Sequence, residues 1–250
     1  TGVSSINFLG NRNFRDRKLK SQLVTKESKW WKFFSSDDSY DPDKLAYDRE
    51  QIRKFYLDEG YADFQVVSAV AELTKDGKNF VITFVLDEGQ IYEFGNSSIE
   101  STLENMNTEE LLYLIEHDEG NQYKATDIDN TVDAITLAVG EEGYASAEVR
   151  PRVRRKREEG IVDIVYFIEE GPRVYIERIN INENTRTRDE VIRRELRVSE
   201  GDSYNKVLID RSETKIKSLG YFREVETSIR PGSEEDRMIV EFEVEEQPTG

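Results

Sequence analysis

An internal repeat constrains this chain of 250 residues more than any other feature. The dipeptide Gly-Tyr occurs three times, at intervals of 83 and 77 residues, and its glycines are Gly60, Gly143 and Gly220. A tyrosine precedes each pair, at intervals of 83 and 81 residues: Tyr40, Tyr123 and Tyr204. An acidic pair follows each copy: Asp87-Glu88, Glu169-Glu170 and Glu245-Glu246. Three markers that keep one order and nearly one spacing predict three copies of a small supersecondary unit.

Each copy is predicted to contain two helices. The longer one lies between the upstream tyrosine and the glycine, where apolar residues recur at helical spacing, as at Ile128, Val132, Ile135 and Val139. Glycine can adopt the left-handed conformation that ends a helix, so we expect it to end this helix and the tyrosine to turn back into the core. A shorter helix precedes it, with predicted N-cap residues Asn13, Asn107 and Thr187.

Extended segments flank the helices and predict three strands per copy. The last two strands form a hairpin, and the helices provide the crossover that lets the first strand pair in parallel with the third. The predicted fold class is α+β, with three tandem βααββ modules. Each module is a three-stranded mixed sheet of order 2-3-1 with two helices on one face. The expected bounds of the first, second and third modules are 1–89, 90–171 and 172–250.

Composition narrows the function classes. A net charge of −17 makes nucleic acid a poor partner, because an acidic surface repels phosphate. The absence of cysteine excludes disulfides and thiolate metal sites. His117 is the only histidine, is expected at a helix end, and no nucleophile or phosphate-loop motif accompanies it. We therefore expect neither an enzyme nor a cofactor, and an acid-using hydrolase is the weakest alternative.

Several segments of the sequence carry a resemblance to a known family: Ile6-Asn7-Phe8-Leu9-Gly10-Asn11, Trp30-Trp31, Tyr56-Leu57-Asp58-Glu59-Gly60-Tyr61-Ala62, Arg193-Arg194-Glu195-Leu196 and Leu219-Gly220-Tyr221-Phe222. The unit resembles the POTRA domain (polypeptide-transport-associated), and the whole chain resembles the last three POTRA domains of the BamA family of outer-membrane β-barrel assembly factors. The start at Thr1 suggests a piece of a longer protein, and Pro248-Thr249-Gly250 resembles the point where the family passes into its membrane barrel.

The resemblance implies a scaffold in the periplasmic part of a Gram-negative outer-membrane protein. Its expected partners are unfolded outer-membrane proteins, accessory lipoproteins and its own C-terminal membrane barrel, and the role involves binding without a chemical reaction. The alternative is a rigid spacer that binds no substrate, in a related translocation-and-assembly or two-partner-secretion POTRA protein.

The second strand of the first module is the candidate binding surface, because an edge strand can accept an extended segment of another chain by β-augmentation. The run from Phe64 to Leu73 contains no proline and a single charge, Glu72, whereas the corresponding strand of the second module contains Pro151 and several arginines. A loop or another module covering this edge is the alternative. The predicted partner-binding residues are Phe64, Gln65, Val66, Val67, Ser68, Ala69 and Val70 and, from the resemblance alone, Glu200 as a lipoprotein contact.

Three further segments have two interpretations each. The aromatic run Trp30–Phe34 is predicted to fold onto its own module, with a partner contact as the alternative. The basic run Arg150–Arg157 is predicted to be a solvated hairpin, with anionic headgroups or an acidic partner as the alternative. The acidic run Asp37–Asp43 departs from a calcium loop, so Asp41 is predicted to be an N-cap followed by Pro42.

Overall fold

The computed structural model describes residues 2–27 and 41–247. The first module contains β1 (Gly2–Leu9), α1 (Asp16–Lys20), α2 (Pro42–Asp58), β2 (Gln65–Leu73) and β3 (Asn79–Asp87). The second contains β4 (Glu93–Ser101), a 3₁₀ helix (Thr108–Leu114), α3 (Ala125–Glu141), β5 (Ala147–Lys156) and β6 (Ile161–Glu170). The third contains β7 (Tyr175–Asn182), α4 (Asp189–Arg193), α5 (Lys206–Ser218), β8 (Phe222–Pro231) and β9 (Arg237–Glu246).

The predicted sheet topology is confirmed. The three sheets have the orders β1-β3-β2, β4-β6-β5 and β7-β9-β8, which place the second strand of each module at an edge. β1 pairs in parallel with β3, and β2 pairs with it in antiparallel orientation. β7, β8 and β9 repeat both relationships. The crossover through two helices explains the parallel pairing, and the short turn explains the antiparallel one.

Separate apolar clusters lie beneath the first and third sheets. In the first module the cluster joins the α2 residues Ile52 and Tyr56 to Ile82 and Phe84 on the central strand. In the third module Ile216 on α5 meets Val240 and Phe242 on β9, among others. The described chain packs as two compact units, and both contain parts of the second module. The first unit combines the residues up to Ser97 with residues 116–129 and 153–164, and the remainder belongs to the second unit. The bounds at 89 and 171 stay predictions.

The Gly-Tyr pairs end the long helices as predicted, but the tyrosines differ. Gly60 has a φ of 99° and Gly143 a φ of 102°, and the following tyrosine amides bond back to the helix, Tyr61 N to Tyr56 O and Tyr144 N to Val139 O, each at 3.0 Å. Tyr61 is buried, whereas Tyr221 is 53% exposed and its neighbour Phe222 fills the core instead. The prediction of a buried tyrosine is therefore wrong in the third module.

The predicted helix caps hold in two cases. Asp41 caps α2 by accepting from Asp43 N at 2.9 Å. Asn107 accepts from Glu109 N, although the helix it caps is 3₁₀. Asn13 and Thr187 are not caps, because α1 and α4 begin at Asp16 and Asp189 after Arg15 and Arg188.

A glutamate at the end of the central strand explains the acidic marker in the first and third modules. Glu88 is buried and accepts from Arg12 N at 2.7 Å, from Asn13 N and from the Tyr56 hydroxyl at 2.9 Å. Burial and the Glu88 carboxylate raise the pKa of Tyr56, so its hydroxyl stays protonated and donates. Glu246 accepts from Thr187 N at 2.7 Å in the same way. The marker therefore ties the loop after the first strand to the sheet.

Candidate partner-binding edge strand

β2 is the edge strand that the sequence singled out, and the structure shortens it. It begins at Gln65, and Phe64 lies just before it, with its ring stacked on Tyr56 at a centroid distance of 4.0 Å. Phe64 is buried and precedes the strand, so the described edge begins at Gln65, and the predicted partner-binding role of Phe64 stays a prediction. Hydrophobicity alone could not separate an edge residue from a core residue at this position.

A bulge at Val67 divides β2. Val66 pairs with Leu86 and Ser68 with Val85 on β3, which leaves Val67 as an extra residue, 61% exposed. Ala69 and Ala71 pack against the core, so Val70 between them points to the face of the sheet without helices. The bulge leaves a continuous edge from Ser68 to Leu73 and a short one at Gln65 and Val66.

A groove lies between α2 and the start of β2. It has a volume of about 310 Å³ and is lined by Ala46, Arg49, Glu50, Arg53, Phe64, Gln65 and Val66. Within it the Arg49 guanidinium donates to the carbonyl of Val66 at 3.0 Å, and Arg53 pairs with Glu50 at 3.1 Å. Sequence reasoning missed Arg49, because nothing in a single helix sequence shows which strand carbonyl its side chain reaches.

In the second and third modules, other backbone segments cover part of the outer edge of the first strand. In the third module, Tyr204 N donates to Val174 O, Ile176 N to Asp202 O and Gly201 N to Ile176 O, at 2.6 to 2.8 Å. In the second module, residues 120–123 bond in the same pattern to Tyr92 and Phe94. The first strand of these modules is therefore already paired along part of its outer edge, which leaves the second strand as the candidate for a guest.

Glu200 belongs to this covering segment. Its Oε1 accepts from Ile179 N at 3.0 Å and lies 3.9 Å from the Arg193 guanidinium. In the first module the Glu27 carboxylate similarly accepts from Ile6 N at 2.9 Å and pairs with Lys20 at 2.7 Å. Glu200 thus has an intramolecular partner, while its side chain stays half exposed, and its predicted lipoprotein contact stays a prediction.

The basic run of the second module has partners within the chain. Arg152 lies over the Phe167 ring at 4.3 Å, and Lys156 pairs with Asp163 at 3.0 Å. Arg155 donates to Ala62 O at 3.1 Å. These contacts favour the solvated hairpin over a headgroup site. The aromatic run Trp30–Phe34 lies outside the described residues.

The groove beside β5 is partly closed, unlike that beside β2. Its volume is about 400 Å³, and residues of the third module, including Val174 and Tyr204, line it together with α3 and β5. Gly171 N donates to Ser146 O at 2.8 Å, and the Asn205 amide donates to Ala145 O at 3.1 Å. An added strand at the start of β5 would meet these residues.

His117 departs from its prediction. It lies after the 3₁₀ helix, buried, with its ring stacked on Phe94 at 4.0 Å. Burial lowers the pKa of His117 despite the opposing effect of Asp127 and Asp118, which favours the neutral ring. Over residues 2–27 and 41–247, no acidic and histidine side chains cluster in a way that could hold a metal ion. No helix in that part of the chain is long and apolar enough to span a bilayer.

Comparison with known proteins places these features in a family. A model described as POTRA, surface antigen variable number repeat, matches residues 1–89, 92–171 and 174–247. The outer membrane protein assembly factor BamA of Neisseria meningitidis serogroup B is 30% identical over 99% of this chain and 31% of its own length. BamA of Neorickettsia risticii is 30% identical over 100% of this chain and 33% of its own length. The chain spans about a third of the length of these relatives.

A solved structure agrees along almost the whole chain. The crystal structure of Haemophilus influenzae BamA POTRA3-5 is similar with a TM-score of 0.69 and 26% identity, covering 98% of this chain and 96% of that one. This similarity confirms the resemblance found in the sequence, and the family model accounts for all three modules. The chain belongs to the POTRA family, of which it contains three consecutive repeats.

Proposed function

We propose that this chain is a periplasmic scaffold of an outer-membrane protein assembly machine in a Gram-negative cell, and that β2 binds unfolded β-barrel segments by β-augmentation. The observation that carries the proposal is the edge of β2 from Ser68 to Leu73, free of proline and with one charge. An edge strand offers main-chain donors and acceptors that pair with almost any extended sequence, which suits a receiver of many different barrel strands.

The test follows the backbone amide signals of the chain by nuclear magnetic resonance in solution. A soluble peptide copied from an outer-membrane barrel strand is titrated into the chain, and the signals of Ser68–Leu73 are expected to shift. The amides of β8, Phe222–Pro231, serve as the internal control, because that strand has charges along its length. A peptide N-methylated at alternate residues loses its donors and is expected not to bind. Unchanged β2 signals at saturating peptide contradict the proposal.

Docking of accessory lipoproteins is the second part of the proposed scaffold, and Glu200 is its candidate contact. The carboxylate uses Oε1 for Ile179 N and Arg193, and its side chain is half exposed, so an arginine of a partner could reach it. Glu200→Gln keeps the acceptor for Ile179 N and removes the charge, and is expected to weaken binding of a purified lipoprotein. Glu190→Gln, at an exposed residue of α4, is the control, and equal affinity of both variants contradicts this contact.

A rigid spacer without substrate binding is the second candidate function. It is favoured by the polar contacts between the first two modules: Thr126 N donates to Asp58 Oδ1 at 2.8 Å, and Tyr92 N donates to Gly60 O at 2.9 Å. A spacer needs such a rigid joint but no open edge. The peptide titration separates the two candidates, because a spacer predicts no shift in any β2 amide.

A further inference from the structure

The position eight residues after the N-cap of the long helix differs in charge between the modules. In the first module it is Arg49, which follows the cap Asp41 and donates to Val66 O on β2. In the third it is Glu213, which follows the cap Asn205 and accepts from the Thr227 hydroxyl on β8 at 2.6 Å. The buried Ile52 and Ile216, three residues further on, support the alignment of the two helices. The same helix position therefore faces the edge strand with a cation in one module and an anion in the other.

Side chains of an added strand share the face of the residues that they pair with. A guest residue opposite Val66 or Ala69 would point toward α2, because Val66 and Ala69 face the core. A guest residue opposite Val70 would point to the other face, beside Thr83 and Val85 of β3. The two sides of a guest thus meet different surroundings, a groove with two arginines and an open face with valine and threonine.

The Arg49 guanidinium is suited to a carboxylate. Its contact is a neutral carbonyl, whereas Arg53 in the same groove already pairs with Glu50. A carboxylate accepts from guanidinium through two parallel hydrogen bonds that are stronger than a bond to a carbonyl. Binding an acidic side chain would leave the fold unchanged, because Arg49 lies on the exposed side of α2.

We propose that Arg49 determines the specificity of β2 and selects an amphipathic strand. This proposal rests on the β-augmentation proposed above. The guest has an acidic side chain on its helix-facing side, which Arg49 binds, and apolar side chains on the side that extends the open face beyond Val70. β8 has no such preference, because Glu213 holds the equivalent position and is itself paired with Lys217 at 2.5 Å.

The experiment compares peptides that differ in one residue. A ten-residue peptide of alternating valine and threonine is made with glutamate at each helix-facing position in turn, and a matched series has glutamine. At one position we expect the glutamate peptide to bind the wild-type chain about threefold to fivefold more tightly, the range of a partly exposed ion pair. The preference should disappear in Arg49→Gln, and a lysine peptide should bind better in Arg49→Glu. The glutamate preference of the wild-type chain should also weaken as the salt concentration is raised.

The outcomes separate the two proposals. If glutamate and glutamine peptides bind equally well at every position and shift the β2 amides, the role of Arg49 is wrong and β-augmentation stands. If neither series binds, both proposals fail. If Arg49→Gln keeps the glutamate preference, another cation provides it and the assignment to Arg49 is overturned. Circular dichroism of each variant verifies that α2 is intact.

Discussion

The open face of a sheet, the face opposite the helices, differs between the first and third modules although their strand order is the same. In the first sheet the central-strand residues Thr83 and Val85 lie between β1 and β2, beside Val70 and Ser68. In the third sheet the corresponding residues are Glu241 and Glu243, beside Ser228 and Glu226. The core faces remain apolar in both. The repeat therefore preserves what the fold needs, while the solvent-facing positions differ and suit the first sheet, not the third, to an apolar neighbour.

The edge strands differ in the same direction. β8 contains Arg223, Glu224, Glu226 and Arg230, and Arg230 pairs with Glu241 at 2.9 Å. Charges along an edge oppose pairing with another strand, because a guest must desolvate them. β2 has one charge over nine residues. Because the topology of both edges is identical, composition alone distinguishes β2 as the candidate binding edge.

The largest expected effect concerns the glutamate that ties the loop after the first strand. Glu88→Ala should lower the free energy of unfolding of the first module by about 3 kcal/mol, because it leaves the part-buried amides of Arg12 and Asn13 and the buried Tyr56 hydroxyl without an acceptor. Glu246→Ala should cost less, because its carboxylate is more exposed and water can replace it.

Urea unfolding measures both. The loss of far-ultraviolet circular dichroism follows unfolding in each variant. Glu88→Gln keeps one acceptor oxygen and should be intermediate. Equal losses for the two alanine variants would show that burial does not distinguish the two ties.

A smaller effect is expected at the joints between modules. Asp58 of the first module accepts from Thr126 N at 2.8 Å in the first turn of α3, and Asp58→Ala should cost about 1 kcal/mol, as for an N-cap. Asn205 caps its own helix and also donates to Ala145 O, while apolar Leu137 and Ala145 pack against the core of the third module. We expect 0.5 M salt to weaken the contacts between the first and second modules more than those between the second and third. Amide hydrogen exchange at Thr126 and Val207 measures the two effects. Equal exchange would contradict the contrast.

The smallest effect is a pH dependence. Burial raises the pKa of Glu27, but the hydrogen bonds from Lys20 and Ile6 N outweigh it and hold the pKa below 4.5. A carboxyl whose pKa is lowered in the folded state stabilises the fold above its unfolded pKa, and the contribution is lost as the pH falls through the folded value. Glu27→Gln should therefore reduce the stability difference between pH 7 and pH 3 by a few tenths of a kcal/mol, discounted for exposure. The midpoints of urea unfolding at both pH values test this. An unchanged difference would contradict a stabilising role for the Glu27 carboxylate.

Much of the fold could be predicted, and less of the site. The topology and the position of β2 follow from periodicity and connection length. The edge position of β2 is confirmed, and the binding role of its residues stays a prediction. Phe64 lies before the strand with its ring packed on Tyr56, which depends on tertiary packing. Arg49 and the bulge at Val67 left no signal, since each depends on how α2 and β3 meet the strand.

The sequence by itself determined the features whose causes lie within a few residues. The left-handed glycines Gly60, Gly143 and Gly220 and the cap at Asp41 are of this kind, because local backbone preference decides them. The tertiary structure decided the rest: the tie from Glu88 to Arg12, the cover of Val174 by Tyr204 and the burial of His117. These depend on atoms brought together from distant parts of the chain, and packing, which no local pattern encodes, sets their distances.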